Sequence, residues 1–104
     1  MILEVAQLQI RKGHEPEFEA AFKRAEAIIA SMPGYLDHSL QRCIERQNQY
    51  VLLVNWATLA DHEISFRQSA EYQQWRALLH HFYDPFPTVL HYTRIAGSDA
   101  MRIT

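Results

Sequence analysis

The chain has 104 residues, of which 48% are apolar and 21% charged, the make-up of one ordinary globular domain and not of a disordered or fibrous chain. Ten Lys and Arg stand against twelve Asp and Glu for a net charge of -2, without a basic run, so a nucleic-acid partner is not expected. The longest apolar stretch, Tyr50 to Val54, falls far below the roughly 20 residues that span a bilayer, and no secretory segment opens the chain, so neither a membrane-spanning helix nor export is expected.

The elements follow in order. Ile2 to Ile10 alternates imperfectly, with Ile2, Ala6, Leu8 and Ile10 on one side, and predicts a strand with both faces partly buried. After the turn Arg11 to His14, Pro16 sits where a helix's first turn tolerates proline, and Phe18, Ala21, Phe22, Ala25, Ile29 and Met32 recur at helical spacing. Met32-Pro33-Gly34 stops that helix. Tyr35 to Arg46 is extended in character, with Leu36, His38, Leu40, Arg42 and Ile44 on one side; Tyr50 to Trp56 is a second β-rich run, and the two predict a hairpin. Thr58 and Asp61 form a capping-box pattern at the start of a helical region whose Leu59, His62 and Phe66 share a face. A break at Gln68 to Ala70 precedes a helix from Glu71 to Tyr83, with Tyr72, Trp75, Leu79 and Phe82 inward, and Thr88 to Ile95 predicts a last strand.

This order is βαββαβ, an α+β ferredoxin-like domain over residues 1–96, followed by a tail, 97–104, expected to be loose or borrowed by a partner. Such a sheet carries its helices on one face. Here the strands place apolar groups on both faces, Val51 and Leu53 against Leu52 and Val54, so a second copy of the sheet is the simplest cover and a homodimer is expected. The single cysteine, Cys43, makes no internal disulfide and suits a reducing cytoplasm.

Several short pieces occur in order along nearly the whole chain: Gly13-His14-Glu15 with Phe18, Pro33-Gly34-Tyr35-Leu36, Trp56-Ala57-Thr58-Leu59 with His62, then Phe66, Ser69 and Trp75-Arg76. Together they resemble the antibiotic biosynthesis monooxygenase domain family. The resemblance implies a ferredoxin-like fold joined sheet to sheet into a dimeric α+β barrel. It also implies oxygenation of a small aromatic or quinol-type molecule with O2 and no cofactor. By motif position, the catalytic places fall on Trp56, His62 and Arg76, with Leu52, Phe66, Tyr72 and His80 as the expected substrate contacts.

The residue types support these roles only in part. Trp56 ends an apolar strand and carries one N–H donor, which suits a pocket wall and a core plug equally. Arg76 lies beside an inward stripe, where it needs either an anionic ligand or a carboxylate partner. His62 titrates near neutrality in water, as a proton carrier or as a plain surface histidine. His80 and His81 are adjacent on a helix and point about 100° apart, so at most one faces inward, with His80 favoured. His38 and His91 fall in strands, where hydrogen bonding within the sheet is the common case, and Asn55 points to the face opposite Trp56. No HxH, HxxxH or CxxC pair occurs, so no metal is expected.

Two other functions remain open on the sequence. One is a non-enzymatic dimer that binds a small hydrophobic molecule or a protein. The other is haem binding and degradation, as in another branch of the family, but Ala6 (or Gln7), Phe66 and Arg76 stand where that branch carries Asn, Trp and His, leaving only His80 as a substitute ligand.

Overall fold

A computed structural model describes residues 1–98, so most of the expected tail, residues 99–104, lies outside the described residues. Its elements are β1 (Ile2–Gln9), α1 (Glu15–Ala30), β2 (Tyr35–Arg42), β3 (Gln49–Trp56), α2 (Ala70–Leu79) and β4 (Val89–Tyr92). A π-helical segment, Asp61–Phe66, precedes α2, and a 3-10 turn, His80–Phe82, follows it. The strands form one antiparallel sheet in the order β2-β3-β1-β4, the ferredoxin-like α+β arrangement. Among the described residues no helix is long and apolar enough to cross a membrane.

The core lies between the sheet and the two helices. From α1 come Phe18, Ala21, Phe22, Ala25 and Ile29, the helical stripe of the sequence, all buried. From the sheet come Ala6, Leu8 and Ile10, then Tyr50, Leu52, Val54 and Trp56, and from α2 Trp75 and Leu79. Period-two alternation sends Leu3, Val5, Val51, Leu53, Leu90 and Tyr92 to the other face, where Leu90 and Tyr92 are about half exposed at 53% and 50%. Asn55 also faces that way but is buried within the chain, its amide donating to Asp37 Oδ1 at 3.0 Å.

Five local details depart from the periodic pattern. The β2–β3 register shifts between Tyr35 and Asp37, a bulge that turns Leu36 out to solvent and sends Tyr35 inward in its place, against His38. β2 ends at Arg42 rather than Arg46, and Ile44 is exposed in the following loop. Leu59 is exposed, so only His62 and Phe66 of that trio point inward. β4 stops at Tyr92, three residues short of the expected Ile95, and α2 tightens into the 3-10 turn at His80.

The connection that carries His62 is firmly built. Asp61 N–H donates to Thr58 Oγ1 at 3.2 Å while Asp61 Oδ2 accepts from Thr58 N–H at 3.1 Å, the reciprocal capping box with Asp in the acidic position. Beneath it, Gly34 has φ +83, and a Cβ there would lie 2.1 Å from Asp61 Cγ. Only glycine fits both the backbone conformation and that approach. Gly34 C=O accepts from Ala57 N–H at 2.7 Å, tying the α1 exit to the end of β3.

Candidate active site

Between the sheet and the π-helical segment, α2 and the turn after it lies a cavity of about 390 Å³. Its floor is Glu4, Ala6, Leu8 and Leu52 of the sheet; its walls include His62, Phe66, Arg67, Tyr72, Trp75, His80 and Tyr83; and Phe86 and Pro87 border it, Phe86 largely exposed. The π-helical register shapes one wall: Arg67 N–H reaches back five residues to His62 C=O at 3.2 Å, and His62 and Phe66 both turn inward.

Glu4 is the unusual member. Alternation along β1 sends its carboxyl inward among apolar neighbours, where it is only 5% exposed. Trp56 Nε1–H donates to Glu4 Oε1 at 2.9 Å, and His62 Nε2 lies 3.3 Å from the same oxygen. The imidazole of His62 stacks on the Trp56 indole with ring centroids 5.3 Å apart, so one side chain both holds Glu4 and orients His62. On its far side His62 Nδ1 lies 2.8 Å from Nε2 of His91, which sits on β4 directly opposite Glu4.

Burial dominates the electrostatics. Loss of solvent pushes the Glu4 carboxyl from an ordinary 4.5 up to about 7, against the opposing pull of the Trp56 hydrogen bond and the Arg67 charge. Burial drives His62 down to about 3, and the charges of Arg67 and His91 act in the same direction. Near neutral pH His62 is therefore an uncharged imidazole, and its 3.3 Å approach to Glu4 is a polar contact rather than an ion pair. His80 is lowered by burial and then by Arg76, and Tyr83 is raised chiefly by burial. Glu4, half-titrated near pH 7 on the cavity floor, is the group best matched to accepting a proton there.

Of the residues singled out from the sequence, His62, Leu52, Phe66, Tyr72 and His80 line the cavity. Trp56 is fully buried behind it and reaches it through Glu4. Arg76 is exposed on α2 and is not part of the wall; the arginine of the wall is Arg67, two residues before the Ser69 cap of α2. Ala6 and Phe66, two of the positions where the haem-degrading branch would carry ligand-pocket residues, also line the cavity. Pattern reading passed over Glu4, Arg67, Tyr83 and the partnership of His91 with His62. The signal for Glu4 was present: an acid on the inward face of β1, where its neighbours Ile2, Ala6 and Leu8 are all apolar.

A second, more open cavity of about 400 Å³ lies between α1 and β2. Its polar groups pair with one another: the Tyr50 hydroxyl donates to Glu19 at 2.6 Å, Arg42 reaches Glu19 at 3.2 Å, and His38 lies 2.8 Å from Glu26. It carries nothing comparable to the buried Glu4.

Comparison with known proteins agrees with this architecture. The sequence model of the antibiotic biosynthesis monooxygenase family matches residues 1–78. The chain is 55% identical over 92 residues to the uncharacterised protein YczJ of Bacillus subtilis strain 168, a match covering 88% of this chain and 97% of that protein. A solved structure from Bordetella bronchiseptica, assigned to the antibiotic biosynthesis monooxygenases, superposes with a TM-score of 0.87 at 34% identity, over 91% of this chain and 97% of that one. SnoaB, a cofactor-independent oxygenase from Streptomyces nogalater, shares the fold with a TM-score of 0.82 at 20% identity, over 94% of this chain and 96% of that one.

Proposed function

Because the chain belongs to the antibiotic biosynthesis monooxygenase family, we propose that it is a cofactor-independent monooxygenase that oxidises a small aromatic or quinol-type molecule with O2. The buried Glu4 carboxyl, poised near neutrality on the cavity floor, carries this assignment. Such a reaction needs a substrate acidic enough to become an electron-rich anion, a base to take the proton, and a space without bulk water where O2 can meet that anion. The substrate gives a proton to Glu4 and its anion passes an electron to O2. The resulting radical pair joins as a carbon-bound peroxide anion, which takes the proton back from Glu4 to become the hydroperoxide. The freed Glu4 carboxylate then removes the remaining hydrogen on that carbon as a proton while the O–O bond cleaves, leaving a carbonyl, and the departing hydroxide takes that proton from Glu4 and leaves as water. One oxygen atom of O2 enters the product, the other leaves as water, and all the electrons come from the substrate.

Trp56 holds Glu4 and fixes the plane of His62, and Leu52, Phe66, Tyr72 and His80 contact the aromatic body of the substrate. The positive charge that stabilises the anion, placed on Arg76 by resemblance, comes here from Arg67 at the wall. A cavity of about 390 Å³ stands at the small end of ligand pockets, which suits a compact aromatic. Two copies pair through the open sheet face of Val5, Val51, Leu53 and Leu90, and the protein works in the cytoplasm, where Cys43 stays reduced. The open cavity favours chemistry over a purely structural role. Oxygen uptake with a panel of hydroquinones and anthrones tests the proposal: uptake above the uncatalysed rate supports it, and none from the folded protein with any member overturns it for those substrates.

A further inference from the structure

The structure assigns to His91 and Glu63 a role no pattern suggested: with His62 they form a proton relay that connects the enclosed Glu4 carboxyl to solvent. This rests on Glu4 as the proton acceptor of the proposed reaction and adds the path by which a Glu4 that is protonated when substrate fills the cavity loses its proton to water and becomes a base.

The contacts run in a line. Glu4 Oε1 lies 3.3 Å from His62 Nε2, His62 Nδ1 lies 2.8 Å from His91 Nε2, and His91 Nδ1 lies 3.7 Å from Glu63 Oε1. Side-chain exposure along it is 7% at Glu4, 4% at His62, 16% at His91 and 46% at Glu63, a path from the interior to the surface. The middle contact, His62 to His91, is a hydrogen bond as it stands, and the outer two, at 3.3 and 3.7 Å, close by a small side-chain rotation or through one water. The other polar groups around Glu4 do not serve. Trp56 of β3 only donates, and burial raises the Tyr83 hydroxyl's hold on its proton.

Proton balance is simple. With Glu4 protonated and each histidine carrying its proton on Nδ1, the Glu4 proton passes to His62 Nε2. The His62 Nδ1 proton passes to His91 Nε2, and the His91 Nδ1 proton leaves to Glu63 or to water at the surface. One proton enters, one leaves, and each ring ends as its other neutral tautomer. No buried imidazolium forms, in keeping with the low proton affinity of His62. Running in reverse, the same steps return the proton to Glu4 and restore both tautomers.

The test uses the full-length protein with ¹⁵N-labelled histidine. A scalar coupling across the N–H···N bond between His62 Nδ1 and His91 Nε2, together with displaced His62 nitrogen shifts in His91→Gln, is the expected result and needs no substrate. Absence of that coupling, with His62 shifts unchanged in His91→Gln, overturns the relay. With dithranol, an anthrone, as the probe, oxygen uptake by His91→Gln at pH 6, where about nine in ten Glu4 carboxyls start protonated, is expected to fall roughly tenfold in dilute buffer. Added imidazole is expected to restore it, while Glu4→Gln is not rescued. The surface variant Glu63→Gln, which leaves the interior intact, is expected to show a smaller loss with the same rescue. A His91→Gln loss that imidazole does not restore marks a structural role and overturns the relay. A wild-type protein inert to dithranol but showing the coupling counts against the proposed reaction on that substrate and leaves the relay standing.

Discussion

Replacing Glu4 by Gln is expected to make the protein inactive and, above neutral pH, more stable. The carboxyl is held in a place that resists its charge, so its proton affinity rises from an ordinary 4.5 to about 7 on folding. At about 1.4 kcal/mol for each tenfold change in proton affinity, that displacement corresponds to about 3 kcal/mol. A raised value means that the folded state holds the proton more tightly. The contribution is fully present below pH 4.5, shrinks as pH rises through the interval, and is gone above about 7, where the folded protein must carry a buried carboxylate. Gln keeps an acceptor oxygen for the Trp56 N–H and never ionises. Urea denaturation should therefore place Glu4→Gln about 3 kcal/mol above the wild type at pH 8, with the gap narrowing to about 1 kcal/mol at pH 5 and little change in m-value. Oxygen uptake with the same variant should fall by roughly 10²- to 10⁴-fold, the usual contribution of a general base. Equal stability changes at both pH values, or a variant less stable at pH 8, would refute the claim that Glu4 is strained by its own charge.

His62 makes the opposite contribution, because its value is lowered on folding: in the Glu4→Gln background, where the opposing Glu4 contribution is removed, stability should decline as pH falls from 6.5 towards 3, and acid titration followed by circular dichroism measures it. Gly34→Ala should cost about 2 kcal/mol or more in thermal denaturation, since the new Cβ meets the Asp61 carboxyl and the backbone at φ +83 resists any side chain; a neutral result would mean the Thr58–Asp61 cap is not needed. Arg67→Ala should lower kcat/KM for dithranol roughly tenfold while Arg76→Ala leaves it near wild type, and the reverse order would return the anion-stabilising role to Arg76. Leu53→Glu, on the open sheet face, should convert a dimer to a monomer in light scattering coupled to size-exclusion chromatography; an unchanged mass would place the contact elsewhere.

Period alone was enough for much of this molecule. The α1 stripe, the inward faces of β1 and β3, and the stop at Met32-Pro33-Gly34 depend on repeats of 3.6 and two and on the backbone limits of Pro and Gly, all local properties. The same logic went astray at Leu36, where one bulged residue exchanges inside for outside, and at Leu59, where the chain enters a π-helical rather than an α-helical turn. The lengths of β2 and β4 were overestimated because extended character continues past the last ladder bond.

The site divides along the same line. Motif position led to Trp56 and His62, and the helix stripe led to Phe66 and Tyr72, because each belongs to an element with a readable inward face. Nothing local says that Glu4 and His91 are opposed across two strands separated by most of the chain, or that Trp56, two residues beyond Glu4's partner on β3, brings its indole N–H to that carboxyl. Sequence by itself determined the elements, their order and which faces are apolar, since those follow from residue type and spacing. Strand register and the close of the π-helical segment over the sheet decided which polar groups share a dry space. It is that shared burial, not the identity of any one residue, that turns Glu4 from an ordinary acid into a base poised near neutrality.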